Sequence, residues 1–372
     1  MDFRIGKKRI KAIYKGENYI PGLIMNGRLW HGSPGKVTFT SGWNGQPDTA
    51  TWGGDKVYYN TVMKTYGESY DQTWIHVDSG GIVNNTICRN GSIQVSSGGV
   101  ANSTTLHASG KVIVSSGGVA NNTTVGHIGY FHVSSGGVAY NTIIDPDSTV
   151  QTDGGIMYVR SHGSANGITA NRGLLIIYSD GTATNIKENG GYVSIYQGAS
   201  ATFDEENTLS GYDVGSGSAS IHSGTAIDTV VGNGGKFLVG AGGSAYNTTV
   251  GASGALAVGG GGVANSAVIN KYAYFTVGGD GGIIDNATVN IGGSALVHSG
   301  GTANNVTLLG SGGSNGIYSG CKLTVYSGGT LNNATVYGGC SLTVLSGGTA
   351  TNITSRYYAN IVVSSGGYIT YA

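Results

Sequence analysis

The chain repeats itself at a step of 19 residues, and this repeat constrains its fold more than any other feature. The letters SGGVA begin at Ser97, Ser116 and Ser135, and the letters SGG return at Ser327, Ser346 and Ser365. A fixed period of some tens of residues predicts stacked repeats, in which each copy packs against its neighbours along one axis. We therefore expect a solenoid.

Apolar residues alternate ahead of each SGG. Counted from its serine, positions −4 and −2 are apolar, as in Val112 and Val114, whereas position −3 is variable and holds Ile113 in the same copy. This alternation predicts a strand with one side in a core. A second short strand should turn Thr123 and Val125 toward the same core. The Gly-Gly before it gives the backbone the freedom that a tight corner needs.

Together these strands predict an all-β fold, a long right-handed parallel β-helix with a small N-terminal β region. Connections between parallel strands are nearly always right-handed. We expect residues 79–372 to form about fifteen turns, a rod on the order of 70 Å at roughly 4.8 Å per turn. Residues 1–78 should form an attachment and capping region. A helical fold is excluded because no helical apolar stripe is present and 69 of the 372 residues are glycine.

The 19-residue step lengthens in two places. Extra residues lie between positions 143 and 235, and the step from Ser299 to Ser327 is 28 residues. Insertions in solenoids form loops on one side of the rod, and this side is often the one that binds ligands.

Charge and hydropathy together exclude nucleic acid and membrane insertion, and they predict that there is no secretory signal. The formal net charge is zero and only 10% of residues are charged, so we expect no nucleic-acid partner. No stretch is long and apolar enough for membrane insertion. The basic start, MDFRIGKKRIKAIYKGENYIPGL, is not followed by the apolar run of a secretory signal, so we expect none.

The three cysteines all fall at inward positions of the repeat. Cys321 and Cys340 occupy the same position in adjacent turns, and Cys88 corresponds to Val125. Buried thiols are one interpretation. A Cys321–Cys340 disulfide is the alternative, because stacked Cα atoms would lie within bridging range.

Residues with catalytic or metal-binding potential are sparse. Cleavage of a glycosidic bond usually takes two carboxylates about 5–10 Å apart. The only acidic run is Asp204-Glu205-Glu206, which is typical of a solvated turn, with weak calcium binding or catalysis as alternatives. The histidines lack metal-ligand spacing, and the glycine-rich corners lack the ending of a phosphate-binding loop. We expect no catalytic residue, cofactor or metal.

The N-terminal segment IKAIYKGENYIPGLIMNGRLWHG resembles small β modules near the N-termini of tail and other virion-associated proteins of phages that infect gut bacteria. The resemblance implies a region that docks on other virion proteins. The candidate partner-binding residues are then Lys7, Lys8, Arg9 and Trp30. A solvated hairpin face is the alternative for the basic cluster.

Residues 79–372 resemble the repeats of AIDA-type autotransporter adhesins, whose passenger domains are surface-displayed β-helices. The matching copies include SSGGVANNTTV at 115–125, AGGSAYNTTV at 241–250, SGGTANNVTL at 299–308 and SGGTLNNATV at 327–336. The resemblance implies that exposed serines such as Ser115 or Ser134 can carry heptose. That family also has a signal peptide and a C-terminal membrane barrel, and we expect neither here.

These features predict a non-enzymatic virion structural protein, a tail spike or fibre that projects its β-helix to attach to a host-surface glycan or protein. The predicted location is the virion. One alternative is a bacterial surface adhesin passenger without its export parts, located at the bacterial cell surface. Another is a polysaccharide-degrading spike.

The last turn should also make contacts. Tyr368 and Tyr371 follow the last SGG with no polar capping segment after them. An open strand edge invites pairing. We therefore predict contact there with a second copy, giving a homo-oligomer, or with another virion protein. The alternative is that a loop of the same chain, such as one of the long insertions, folds over this end and closes it.

Overall fold

In the computed structural model the chain forms a right-handed parallel β-helix of about 14 turns, which confirms the predicted fold class. The structure describes residues 75–77, 81–89, 91–145, 154–204, 207–232, 234–279, 281–310 and 320–372, and it describes the strands between Arg4 and Trp74 by their backbone. Each full turn contributes to three parallel sheets, here called face 1, face 2 and face 3 in chain order.

Face 1 is built from strands of four residues. In the first half of the rod they are Trp74–Val77, Ser92–Val95, Lys111–Val114, Tyr130–Val133, Ile156–Val159, Leu174–Ile177 and Tyr192–Ile195. In the second half they are Ser218–Ile221, Lys236–Val239, Ala255–Val258, Tyr274–Val277, Ser294–Val297, Lys322–Val325, Ser341–Val344 and Asn360–Val363.

Face 2 and face 3 follow each other closely, and some strands run through both. Face 2 contains Val57–Tyr58, Ile82–Asn84, Val100–Asn102, Val119–Asn121, Thr208–Ser210, Gly224–Ile227, Gly243–Tyr246, Val263–Asn265, Ile283–Asp285, Thr302–Asn304, Thr330–Asn332 and Tyr368–Tyr371. Face 3 contains Val62–Lys64, Ile87–Arg89, Thr105–His107, Thr124–Val125, Asp213–Gly215, Val230–Val231, Thr249–Val250, Val268–Ile269, Thr288–Val289, Thr307–Leu308 and Thr335–Val336. The strands that serve both faces are Val138–Ile144, Ser164–Ala170, Thr182–Glu188, Ser200–Phe203 and Thr349–Ser355.

The core is made of ladders of like residues, as the repeat predicts. Val112 pairs with Phe131 of the next turn, and Val114 pairs with Val133. All four side chains are fully buried, whereas Ile113 between them faces outward and is partly exposed. The alternation therefore gives the correct inward positions for these strands.

The two glycines of each corner have different physical roles. The first takes a positive φ, as in Gly117 at 82°. The second has ordinary backbone angles but lies against the turn below, because a Cβ on Gly118 would overlap the carbonyl of Val95. A second corner, between faces 2 and 3, uses asparagine instead. Asn122 has φ of 55°, in the left-handed region that asparagine tolerates better than most residues.

Two of the predicted insertions fall between the same two faces in the chain order. The chain leaves face 3 at Ile144 and enters face 1 at Ile156. It likewise leaves face 3 at Leu308 and enters face 1 at Lys322. Both insertions therefore occur between a face 3 strand and the next face 1 strand.

The first turn is covered by an antiparallel strand. Val37–Trp43 pairs with Trp74–Val77 at the edge of face 1 and also with Gln46–Trp52. Further upstream lie the two-stranded pairs Arg4–Ile5 with Lys8–Arg9, Ile13–Lys15 with Asn18–Ile20, and Gly22–Met25 with Arg28–His31. The attachment role of residues 1–78 stays a prediction.

The rod is divided into two halves by a joint, which we define as residues 196–223. Face 1 is interrupted there between Ile195 and Ser218, and faces 2 and 3 are interrupted between Phe203 and Thr208. The apolar core is divided at the same place into one cluster from Ile75 to Val193 and another from Leu209 to Ile353. The joint therefore separates two stacks of turns.

Cys321 and Cys340 stack in adjacent turns as free, buried thiols, with their Sγ atoms 2.9 Å apart. The hydrogen bond between the two side chains lowers the pKa of Cys340 to about 7. Because a thiolate is the reactive form, we predict that diamide at pH 8 converts the pair to a disulfide. In this reaction the two thiols transfer two protons and two electrons to the N=N bond of diamide, which becomes a hydrazine.

Intact mass and peptide mapping would identify this bridge. Closure of a loop of this length should raise the free energy of unfolding by about 3 kcal/mol. Cys321→Ala is the control, because it leaves Cys340 and Cys88 in place and should form no intramolecular bridge. Unchanged mass in the oxidised wild-type chain would contradict the prediction.

Candidate binding surface on face 1

The outward side of face 1 carries two rows of side chains in the first half of the rod. One row holds Lys111, Tyr130, Ile156, Leu174 and Tyr192, and the other holds Ile113, His132, Tyr158, Ile176 and Ser194. Each member lies beside its neighbour at the strand spacing of about 4.8 Å. Large rings and aliphatic chains therefore form one continuous outer surface there.

Four rings extend along the rod axis from this surface. His132 stacks on Tyr158 with ring centroids 4.7 Å apart, and Tyr158 is 6.4 Å from Tyr178. Tyr178 then stacks on Tyr196 at 4.9 Å. Because the ring planes lie within 26° of parallel, the stack turns ring edges to solvent and ring faces toward one another. The last ring, Tyr196, is 50% exposed and lies at the joint.

Arg160 lies beside the stack and fixes part of it. Its Nε and Nη2 atoms are 3.3 and 3.2 Å from Nδ1 of His132. Its Cζ atom is 5.4 Å from the ring centroid of Tyr158 and 5.7 Å from that of Tyr178, within the range of cation–π attraction. The guanidinium can donate to Nδ1 only if that nitrogen carries no proton. The contact therefore assigns His132 as a neutral imidazole with its proton on Nε2.

Burial lowers the pKa of His132 to about 4, and the cations Arg160 and Lys111 add to the effect. The ordinary value is 6.5, so protonation favours the unfolded chain. The stabilising contribution of neutral His132 is full above pH 6.5 and is lost as the pH falls toward 4. Protonation also ends the hydrogen bond from Arg160.

We predict that His132→Phe, which keeps a ring in the stack but cannot titrate, makes stability less dependent on pH between 6.5 and 4. Urea unfolding of both chains across this range would measure the difference. Ile176→Phe, in the same outward row, is the control for the introduced phenylalanine, and we expect it to follow the wild-type profile because it changes no titrating group. Parallel profiles for wild type and His132→Phe would contradict the assigned protonation state.

Amide ladders form a second outward feature, partly exposed, at the end of face 2. Asn102 donates to Asn84 Oδ1 at 2.9 Å, and Asn121 donates to Asn102 Oδ1 at 2.9 Å. In the second half, Asn332 donates to Asn304 Oδ1 at the same distance. Each amide satisfies its neighbour one turn away, which leaves a regular line of polar groups along the rod.

A buried polar cluster joins Glu188 of the first half to residues of the joint. Glu188 is 1% exposed, and its carboxylate accepts from Ser220 Oγ at 2.5 Å, from the backbone N–H of His222 at 2.6 Å and from His222 Nδ1 at 2.8 Å. Ser220 Oγ also accepts from the N–H of Val193 at 2.8 Å. The His222 ring stacks on Phe203 at 4.9 Å. These contacts connect the two halves through side chains.

This cluster contains a serine, a histidine and a carboxylate, but its geometry is not that of a nucleophilic triad. In a triad the histidine accepts the serine proton and the carboxylate orients the histidine. Here the Ser220 hydroxyl donates to Glu188 and is fully buried. The arrangement therefore holds the joint together and does not activate the serine.

The candidate partner-binding residues divide into two groups. Lys7, Lys8, Arg9 and Trp30 lie outside the residues whose side chains the structure describes, so the virion-docking role stays a prediction. Tyr368 and Tyr371 lie in the last turn and are 56% and 59% exposed. No other described strand pairs beyond theirs on face 2, and the predicted contact with a second copy stays a prediction.

The acidic run is described only at Asp204, since Glu205 and Glu206 lie outside the described residues. Among the residues that are described, no three His, Cys, Asp or Glu side chains come together in a way that could hold a metal ion. The described part of the chain also has no helix with the length and hydropathy needed to cross a membrane. Ser115 and Ser134 are partly exposed.

Sequence reasoning missed both the ring stack and the buried cluster. The stack was detectable in part, because Tyr178 and Tyr196 both stand directly after a face 1 strand where earlier copies have serine. The cluster has no such signal, because its members are 32 to 34 residues apart and break the period.

No protein-family model matches the chain, and no curated protein matches it. Among solved structures, the chain is similar to a TibA55-350 fragment that is hyper-glycosylated by TibC. The two chains are 29% identical, the match covers 84% of this chain and 99% of that chain, and the TM-score is 0.40. It is also similar to the A-module of the mannuronan C-5 epimerase AlgE4 of Azotobacter vinelandii, at 12% identity over 78% of this chain and 91% of that chain, with a TM-score of 0.22.

Proposed function

We propose that the chain is a non-enzymatic attachment rod, displayed at a bacterial cell surface in the manner of an adhesin passenger. The observation that carries this proposal is the outward side of the solenoid, where polar side chains recur turn after turn in bonded ladders such as Asn84, Asn102 and Asn121. The SGG-type copies that resemble AIDA-type adhesins supply the same outward residues. Surface attachment is therefore preferred to the virion hypothesis, which depends on residues 1–32.

A ladder of this kind suits contact with an extended surface polymer. Many turns offer short amides and hydroxyls at one spacing, although the same position holds Tyr140, Ile227 or Tyr246 in others. Several turns can therefore contact successive units of one partner chain. Weak contacts made in series on a rigid support give strong overall attachment. The described outer surface also has few charges, which favours contact with sugars and polar protein surfaces over contact with nucleic acid.

Two measurements test the proposal. Antibodies raised against the purified full-length chain should label intact cells of the bacterium that produces it. Beads coated with the chain should adhere to host cells more than beads coated with albumin. Beads coated with heat-unfolded chain are the matched control, because they carry the same sequence without the ladders. Labelling confined to phage particles, or adhesion equal to that of the albumin beads, would overturn the proposal.

A further inference from the structure

We propose that the corner between face 3 and face 1, in the second half of the rod, binds an acidic polysaccharide that carries one anionic group on every second sugar. This inference rests on the proposed attachment function and names its ligand class. We call this surface the basic corner. Its cations are Lys236, Lys271, Lys322 and Arg356. Its exposed apolar side chains are Tyr272, Tyr274, Ile291, Leu309, Tyr337, Tyr357 and Tyr358. Residues 311–319, which connect two of its turns, lie outside the described residues and are not part of the site.

The positive charge of the second half is collected on this corner. Every Lys and Arg after residue 231 belongs to it. Lys236 and Lys322 begin face 1 strands, whereas Lys271 and Arg356 lie between a face 3 strand and the next face 1 strand. All four side chains are exposed, and in the described part of the chain none of them forms an ion pair. They are therefore available to an anionic partner.

Acidic side chains in this part of the chain lie elsewhere. The two acids after residue 231 are Asp280 and Asp285. Asp285 ends a face 2 strand, and its Oδ1 accepts from the Asn305 amide at 2.7 Å, so it belongs to another corner. Asp280 lies outside the described residues, in the stretch between a face 1 strand and a face 2 strand. The described part of the basic corner is therefore positive, although the formal net charge of the whole chain is zero.

The cations recur at every second turn. An outward row at the start of face 1 pairs, turn by turn, Lys236, Ala255, Tyr274, Ser294 and Lys322. Lys271 precedes Tyr274 in the turn halfway between the two lysines of this row, and Arg356 lies two turns beyond Lys322. Successive cations are therefore about 10 Å apart along the rod, which is twice the strand spacing. A disaccharide in an extended chain has much the same length, so each cation can face the anionic group of one disaccharide.

Rings lie next to the cations and suit the apolar C–H faces of sugars. The Nζ atom of Lys271 is 4.9 Å from the ring centroid of Tyr272, whose side chain is 66% exposed. Tyr274 lies in the same row as Lys322, and the residue between them, Ser294, is small. The ladder thus brings two rings and two cations onto one surface. A single sugar chain along the rod axis would contact both kinds of group.

Tyr272 also occupies a position whose backbone does not suit tyrosine. Its φ is 65°, in the left-handed region that bulky residues rarely adopt. The Tyr272 N–H donates to the carbonyl of Gly292, which holds this position one turn later with φ of 78°. Glycine would meet the need of this corner without strain. A strained backbone at an exposed ring indicates that the ring serves a contact outside the fold.

Titration calorimetry with the full-length chain would test this assignment, with hyaluronate as the probe, because it carries a carboxylate on every second sugar. Dextran is the neutral comparison, and double-stranded DNA and vesicles of phosphatidylglycerol represent other anionic partners. We expect hyaluronate to bind about tenfold or more tightly than each of these. Its affinity should fall as NaCl rises from about 0.1 M to 1 M. No binding of hyaluronate, equal binding of dextran, or tighter binding of DNA or vesicles would overturn the proposal.

Lys322→Gln tests the charge of the basic corner and should weaken hyaluronate binding several-fold. Lys187→Gln is the matched control, because Lys187 is also an exposed lysine of a strand but lies in the first half of the rod. Both variants remove one positive charge, and we expect the control to bind as wild type does. Equal losses for the two variants would mean that net charge alone attracts the polymer, and the site would be overturned.

Tyr272→Gly separates binding from folding. We expect it to weaken hyaluronate binding several-fold while the midpoint of urea unfolding stays level or rises, since glycine takes a positive φ without strain. Unchanged binding, or a lower midpoint, would overturn the assignment of this ring to the site. Hyaluronate binding by a chain whose coated beads do not adhere to host cells would keep this site and overturn only the attachment function. Adhesion without hyaluronate binding would do the reverse.

Discussion

Replacement of Val114 by aspartate is expected to lower the free energy of unfolding by about 4 kcal/mol or more, the largest effect that we predict for a single residue. Val114 is fully buried and pairs with Val95 below and Val133 above. A carboxylate at this position would be surrounded by apolar side chains and would have no partner. The loss should appear in urea unfolding and as faster amide exchange in the adjacent turns.

Ile113→Asp is the matched control for this substitution. Ile113 is the adjacent residue on the same strand, but its side chain faces outward and is partly exposed. The new carboxylate would remain in contact with water, so we expect a cost below about 1 kcal/mol. Similar losses for the two variants would mean that the inward and outward positions of this strand are assigned wrongly.

Replacement of Glu188 by leucine is expected to destabilise the joint by about 3–5 kcal/mol. The substitution leaves the Ser220 hydroxyl and the N–H groups of His222 buried without the carboxylate that now accepts from them. Unlike Val114→Asp, this change acts between the two halves and not inside one core. Hydrogen exchange should therefore rise first in Tyr192–Ile195 and Ser218–Ile221.

Lys187→Leu tests whether this effect is specific. Lys187 precedes Glu188 on the same strand but is exposed, so its loss removes no described contact of the joint. We expect exchange in the two face 1 strands to stay at the wild-type rate. Uniform destabilisation of the whole rod by Glu188→Leu, or protection of both strands equal to that of wild type, would mean that the carboxylate does not connect the halves.

The sequence predicts the regular part of this fold because each inward position is repeated many times. The pair Val112 and Val114 shows the pattern, and equivalent pairs recur in almost every turn. Stacking then follows from the need to bury these side chains, since a single turn has too little core. The position of the corners is also predictable, because the glycine and asparagine that form them recur with the same period.

The rest of the site depends on contacts that have no period. Glu188 and His222 come together because one face 1 ladder is interrupted, and nothing in the local sequence of either residue indicates the other. The ring stack is predictable only in part from the sequence. Tyr158 and Tyr178 occupy different positions of the repeat, and their rings stack because of a lateral shift between turns. Counting residues from each SGG therefore predicts the strands and corners but not which rings stack on one another.

The joint also determines how the rod would respond to mechanical load. The ladder hydrogen bonds run along the rod axis from one turn to the next, so a pull on the two ends stretches all of them in series. Within each half, three backbone ladders share the tension. At the joint these ladders are interrupted, and the contacts between the halves include the side-chain bonds of Glu188 with Ser220 and His222, together with the bond from the Ser220 N–H to the Gly191 carbonyl. We expect an attached cell under shear flow to extend the rod there first, and each half to remain folded while the joint opens.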